Sequence, residues 1–187
     1  MKIDGNAIRP GHVIDHRGSL WRVMKINHTQ PGKGGAYMQV ELRNLMDGSK
    51  THDRFRAQAK VERVRLEQRD HQFLFKEGEL YNFMDMETFE QVSLSEDLIG
   101  EKGVFLKDAM PVQIEFHEDQ PLGVLLPETV ELTVHDTEPV VKGQTATASY
   151  KPAELENGLR VMVPPFINEG DRIVVDTEDS TYVRRAD

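Results

Sequence analysis

The chain has 187 residues, 38% of them apolar and 29% charged, enough for one large domain or two to three small ones with modest cores. It has no cysteine, which excludes disulfides, a thiolate metal site and a cysteine nucleophile, and fits a reducing, cytoplasmic setting. The net charge of −9 is uneven: residues 1–64 hold twelve Lys/Arg against six Asp/Glu, a net +6, and residues 65–187 hold eleven against twenty-six, a net −15. A basic module ahead of an acidic remainder points the first part toward phosphates and limits adhesion by the rest. Met1 to Asn6 lacks the apolar core of a signal peptide, and no apolar run approaches the roughly 18 residues of a membrane span, so no membrane partner is expected.

In chain order, Leu20–Ile26 and Tyr37–Leu45 alternate apolar with polar residues at the period of two expected of half-buried strands. Between them lies Gln30-Pro31-Gly32-Lys33-Gly34-Gly35-Ala36. Pro31 fixes its own φ and biases Gln30 toward an extended conformation, while Gly32, Gly34 and Gly35 carry no side chain to obstruct a close approach. Pairing the strands gives a long hairpin with Lys33 near its tip. The sequence also reads as a plain turn with a solvated lysine. It does not read as a nucleotide-binding P-loop, because glycine follows the lysine and a strand follows that. Lys50–Arg56 and Val61–Val64 add strands, and residues 1–64 read as a small SH3-like barrel.

From residue 65 the all-β rhythm repeats: His71–Phe75, Leu80–Met84 and Thr88–Val92 are expected strands, with turns at Glu77-Gly78 and around Asp85–Glu87. Ser93–Lys107 is the expected helical stretch, with Ser95 as N-cap and Gly100 and Gly103 keeping it short. Val112–His117 and Gly123–Leu126 return to strand. A boundary near Pro127 separates this unit, residues 65–127, from a third, residues 128–187. The third has strands at Val130–Val134, Leu159–Val163, Arg172–Val175 and Thr181–Val183, and a small polar loop over Val141–Ala148. The expected fold is all-β, with one small barrel per segment.

No catalytic constellation assembles. The seven histidines are scattered without metal-ligand spacing, and no serine sits in a Gly-x-Ser-x-Gly elbow. Neither a metal nor a cofactor is expected. Lys33 could serve as a Schiff-base lysine only if desolvated, and a tip among three glycines offers little burial.

Three features carry a family resemblance: Pro31-Gly32-Lys33-Gly34; Asn82-Phe83-Met84 followed by Glu87-Thr88-Phe89-Glu90-Gln91; and Lys151, Ala153, Gly158, Val161, Val163-Pro164, Ile167 and Gly170 in that spacing. In this order they make the chain resemble bacterial translation elongation factor P along essentially its whole length. The resemblance implies an SH3-like (KOW-type) N-terminal barrel followed by two OB-folds. It implies a non-enzymatic factor that binds the 70S ribosome as a monomer beside P-site peptidyl-tRNA and relieves stalling at consecutive prolines.

By the same resemblance, Lys33 is the tip lysine that reaches the CCA end. In many members a lysine-modifying enzyme extends it with a β-lysyl group, and Pro31, Gly32, Gly34 and Gly35 form its supporting loop. Gly143, Gln144 and Thr145 occupy the third-domain loop that contacts E-site mRNA in the family, with Gln144 where the family carries an aspartate. Tyr182 and Arg185 match positions that look tRNA- or ribosome-facing, and as bare residues they read equally as strand packing and surface charge. The other reading is a general single-stranded nucleic-acid-binding protein, against which stand the net −15 of residues 65–187 and the lack of an aromatic ladder among basic residues.

Overall fold

A computed structural model describes residues 1–140 and 149–187. Gly143, Gln144 and Thr145 lie outside the described residues. Three antiparallel sheets follow one another along the chain.

The first contains β1 (Lys2–Asp4), β2 (Val13–His16), β3 (Ser19–Thr29), β4 (Tyr37–Asn44), β5 (Lys50–Arg56) and β6 (Lys60–Val64), in the order β1-β6-β2-β3-β4-β5. Its two ends are drawn together by a 3-10 turn at Gly5–Ala7, where the Gly5 and Asn6 amides donate to the Ala59 and Ala57 carbonyls. Alternate residues of β4, Met38, Val40 and Leu42, face a core shared with Ile8, Ile14, Val23, Phe55 and Val61. That inward set follows from the period-2 pattern.

The second sheet contains β7 (Glu67–Glu77), β8 (Leu80–Asp85), β9 (Gln91–Ser95), a one-turn helix α1 (Glu96–Ile99), β10 (Pro111–His117) and β11 (Gln120–Leu125), ordered β11-β10-β7-β8-β9. Ser95 caps α1 by accepting from the Leu98 amide, and a 3-10 turn at Gly100–Phe105 replaces the rest of the expected helical stretch. Gly100, at φ 59°, ends the α-helical turn.

The third contains β12 (Thr129–Thr137), β13 (Lys151–Leu155), β14 (Arg160–Val163), β15 (Arg172–Asp176) and β16 (Thr181–Arg185), ordered β14-β13-β12-β15-β16. Phe105, donated by the 3-10 turn after α1, is buried in the third core with Leu132, Leu155, Val163 and Ile173. No helix among the described residues is long and apolar enough to cross a membrane.

One turn design recurs once per sheet. Asn44, Asp85 and Asp176 each end a strand and use a side-chain oxygen to accept the amides two and three residues on. Four residues after each, the backbone turns left-handed: Gly48 at φ 76°, Phe89 at 62° and Ser180 at 57°. The strand expected at Thr88–Val92 therefore begins at Gln91, because Asp85 has already folded Glu87 and Thr88 into its turn.

Candidate functional site

The first sheet presents its longest hairpin as a projection. β3 and β4 pair from Trp21↔Asn44 out to Thr29↔Tyr37, and residues 30–36 form the tip. Gly32, Lys33, Gly34 and Gly35 are all exposed, and Lys33 takes part in none of the ion pairs among the described residues.

The glycines differ in why they are there. Gly34 sits at φ +110°, a conformation that strains any other residue. Gly32 and Gly35 have no positive φ, and a Cβ built on either meets nothing within 4 Å. Nothing among the described residues requires them to be glycine, so a slender tip is the property they confer.

Below the tip the hairpin is tied to β5, and β5 is tied in turn to β2. On β5, the Arg54 guanidinium covers the Tyr37 ring, and the Ala57 amide donates to the Ala36 carbonyl at 3.0 Å. A second contact joins the strands on either side of the hairpin: His16 Nε2 of β2 lies 2.6 Å from Asp53 Oδ2 of β5, which also receives Arg17 Nη2 at 3.1 Å, and the imidazole packs edge-on against Phe55. Burial pushes the Asp53 carboxyl up, but the His16 hydrogen bond, the Arg54 amide and the Arg17 charge outweigh it and hold the group below the usual aspartate range. Asp53 thus stays an anion that ties the β2–β3 turn to β5. The Arg54–Tyr37 stack and the Ala57–Ala36 bond hold the projecting hairpin against β5.

Tyr182 and Arg185 stand on β16 of the third sheet, apart from the hairpin. Tyr182 is half-buried against the third core; burial and then the neighbouring Tyr150 raise its phenol above the ordinary value. Arg185 Nη2 lies 3.8 Å from Asp171 Oδ1. Sequence reasoning missed the Arg54–Tyr37 stack, for which the signal was an arginine on the strand opposite the tip-proximal tyrosine. It also missed a 2.5 Å ion pair between Arg22 of β3 and Glu115 of β10, which no local pattern announces.

Comparison with known families settles what kind of molecule this is. Residues 4–61 match the family profile described as elongation factor P (EF-P) KOW-like domain, residues 66–124 the EF-P OB domain, and residues 130–185 elongation factor P, C-terminal. The chain belongs to the elongation factor P family. It is 59% identical over 187 residues to elongation factor P of Parvibaculum lavamentivorans and 56% identical over 187 residues to that of Chelativorans sp., covering all of each. Among solved structures, translation initiation factor 5A from Methanococcus jannaschii superposes with a TM-score of 0.51 at 21% identity, over 66% of this chain and 88% of that one. That likeness concerns the fold. Elongation factor P is a translation factor and not an enzyme, and the KOW-like and OB assignments agree with the SH3-like and OB barrels expected from the sequence.

Proposed function

We propose that this member of the elongation factor P family docks on the ribosome as a monomer beside P-site peptidyl-tRNA and uses Lys33 to hold the CCA end where peptide bonds form slowly, at consecutive prolines. The observation that carries the reading is the exposed Lys33 on a tip whose Gly32 and Gly35 are free of any internal packing demand.

Proline lacks an amide N–H and restricts the residue before it, so a polyproline chain holds the reacting ester and amine in poor geometry. Fixing the tRNA end offsets part of that orientational barrier without any catalytic group on the factor. A primary ammonium on a four-carbon stem suits this task. It is a compact cation with three donors for phosphate and ribose oxygens, and a β-lysyl extension added by a modifying enzyme would lengthen its reach. The net +6 of residues 1–64 favours approach to RNA, and the cytoplasm is where this work is done.

The test is reconstituted translation of a Pro-Pro-Pro template. Lys33→Ala is expected to melt like the parent, because the side chain is exposed, and to lose at least about tenfold in the rate of the stalled step. Full relief of stalling by Lys33→Ala would sink the assignment. Intact mass of the protein from its host shows whether Lys33 carries an extension.

A further inference from the structure

The joint between the first and second sheets holds a feature that neither barrel needs for its own fold. β6 ends at Val64 and β7 begins at Glu67, so only Arg65 and Leu66 link them. Around this linker Val13, Leu45 and Leu122 are buried together, with Leu20, Val64 and Leu66 beside them. An aliphatic pad of this kind attracts without preferring one rotation over another.

Direction is supplied by charge. Arg22 Nη2 of β3 meets Glu115 Oε1 of β10 at 2.5 Å, with the arginine side chain 25% exposed and the glutamate 8%. Val112, Ile114 and Phe116 of β10 fill the second core in unbroken alternation, so Glu115 points away from that core and is buried where Arg22 of the first sheet meets it. Lys102 reaches the same region, its Nζ donating to the Val124 carbonyl at 3.0 Å. Although the residue as a whole is exposed, its ammonium turns inward: burial lowers its pKa, Arg22 adds to the lowering, and Glu115 opposes it.

A second seam lies between the β4–β5 turn and α1. Arg43 Nη2 donates to the Asp97 carbonyl at 3.3 Å, and a Cβ on Gly48 would stand 3.0 Å from that oxygen. One attachment permits a pivot, whereas two fix an angle.

We propose that Arg22 and Glu115, backed by Lys102, form a charge latch that sets the angle between the first and second barrels and thereby the position of Lys33. The link to Lys33 rests on the proposed role of that residue. Arg22 lies at the root of the hairpin and Lys33 at its tip. At about 3.3 Å per residue, the eight residues from Arg22 to Gln30 make a lever of roughly 26 Å. A slip of about 10° at the root then moves the tip by roughly 4–5 Å, against a tolerance of about 1 Å for oriented reactants. Rotation away from the observed angle separates the Arg22 guanidinium from the Glu115 carboxylate and gives up a charge-assisted hydrogen bond between partly buried groups, which is why the latch has one preferred setting.

Because the chain contains no cysteine, Asn27→Cys and Glu77→Cys place a unique pair of spin labels on exposed residues of the first and second sheets, away from the latch. The latched protein is expected to give one narrow label distance. Arg22→Met should broaden it at least about twofold, and Arg22→Lys, which keeps a cation, should fall between. Glu115→Gln, which leaves Arg22 and Lys102 without their anion, is a second route to the broad state. Melting within about 5 °C of the parent shows that the barrels themselves remain folded.

In Pro-Pro-Pro translation, Arg22→Met should raise the factor concentration for half-maximal relief about tenfold while the maximal rate at saturation stays near the parent's, since binding selects the aligned angle from a broader ensemble. Unchanged label distances in both Arg22→Met and Glu115→Gln, or a distribution in Arg22→Lys no narrower than in Arg22→Met, would overturn the latch. Broadened distances with unaltered half-maximal concentration would overturn its role in positioning. Full relief by Lys33→Ala would remove the tip assignment while leaving the distance result standing.

Discussion

The guanidinium of Arg54 lies over the ring of Tyr37, 5.0 Å from its centroid, where the projecting tip meets the body of the first barrel. Tyr37 opens β4 and faces Thr29, the last residue of β3, so this stack closes the hairpin just below the glycines. At an exposed site such a contact is worth about 0.5–1 kcal/mol. Tyr37→Ala is therefore expected to speed amide exchange over residues 29–37 about three- to fivefold, while Tyr37→Phe, which keeps the ring, leaves it near the parent rate. Hydrogen exchange read by mass spectrometry decides it, and equal protection in Tyr37→Ala would show that the stack does not hold the tip.

Gly34 and Gly35 are neighbours with opposite expected responses. Valine at 34 must adopt φ near +110° or rebuild the turn, so Gly34→Val is expected to alter tip conformation in the free protein. Valine at 35 enters open space and should leave the unfolding midpoint within about 0.5 kcal/mol of the parent. In translation both are expected to fail, Gly34→Val through shape and Gly35→Val through bulk in a narrow site. Full stall relief by Gly35→Val would show that the slender tip is not what the partner requires.

The repeated turn makes Phe89 anomalous. It occupies the left-handed position that Gly48 fills in the first sheet, with φ 62° and 67% of its surface exposed. A phenylalanine there carries steric strain and gains little burial in return. Phe89→Gly is expected to raise stability by about 0.5–1 kcal/mol, measured as a higher urea midpoint at unchanged slope. A lower midpoint would mean that the ring has packing worth more than the strain.

The hairpin was legible because two independent signals coincided: strand alternation on both sides and a Pro/Gly tip between them. The cap of α1 was legible at Ser95 for the same reason, since a hydroxyl before two acidic residues has few other uses. β13 escaped notice because Pro152 sits inside it, and proline argues against a strand. β1 has three residues, too few to show a period. The Arg22–Glu115 pair could not be read at all, because it depends on how two sheets meet. An arginine in an alternating strand looks solvated until another sheet covers it.

Acid should weaken the protein through the carboxylates that the fold holds below their ordinary pKa, Asp85 among them. The Thr88 amide, at 3.0 Å, and the Glu87 amide, at 2.7 Å, hold its carboxyl below the ordinary 3.8; burial opposes them, and the nearby His71 and Arg69 add to the lowering. Asp47 is lowered likewise by the Ser49 hydroxyl and amide, and Glu156 by Lys107. A carboxyl whose folded pKa lies below its unfolded one binds protons more readily in the unfolded chain, so its contribution is present above the unfolded value and is lost as pH falls through the folded one. The urea midpoint is therefore expected to decline below about pH 4. Asp85→Asn retains an oxygen acceptor but no titrating charge, so it should lower the midpoint at neutral pH and flatten the decline. An Asp85→Asn profile parallel to the parent's down to about pH 2 would show that this turn contributes nothing to acid sensitivity.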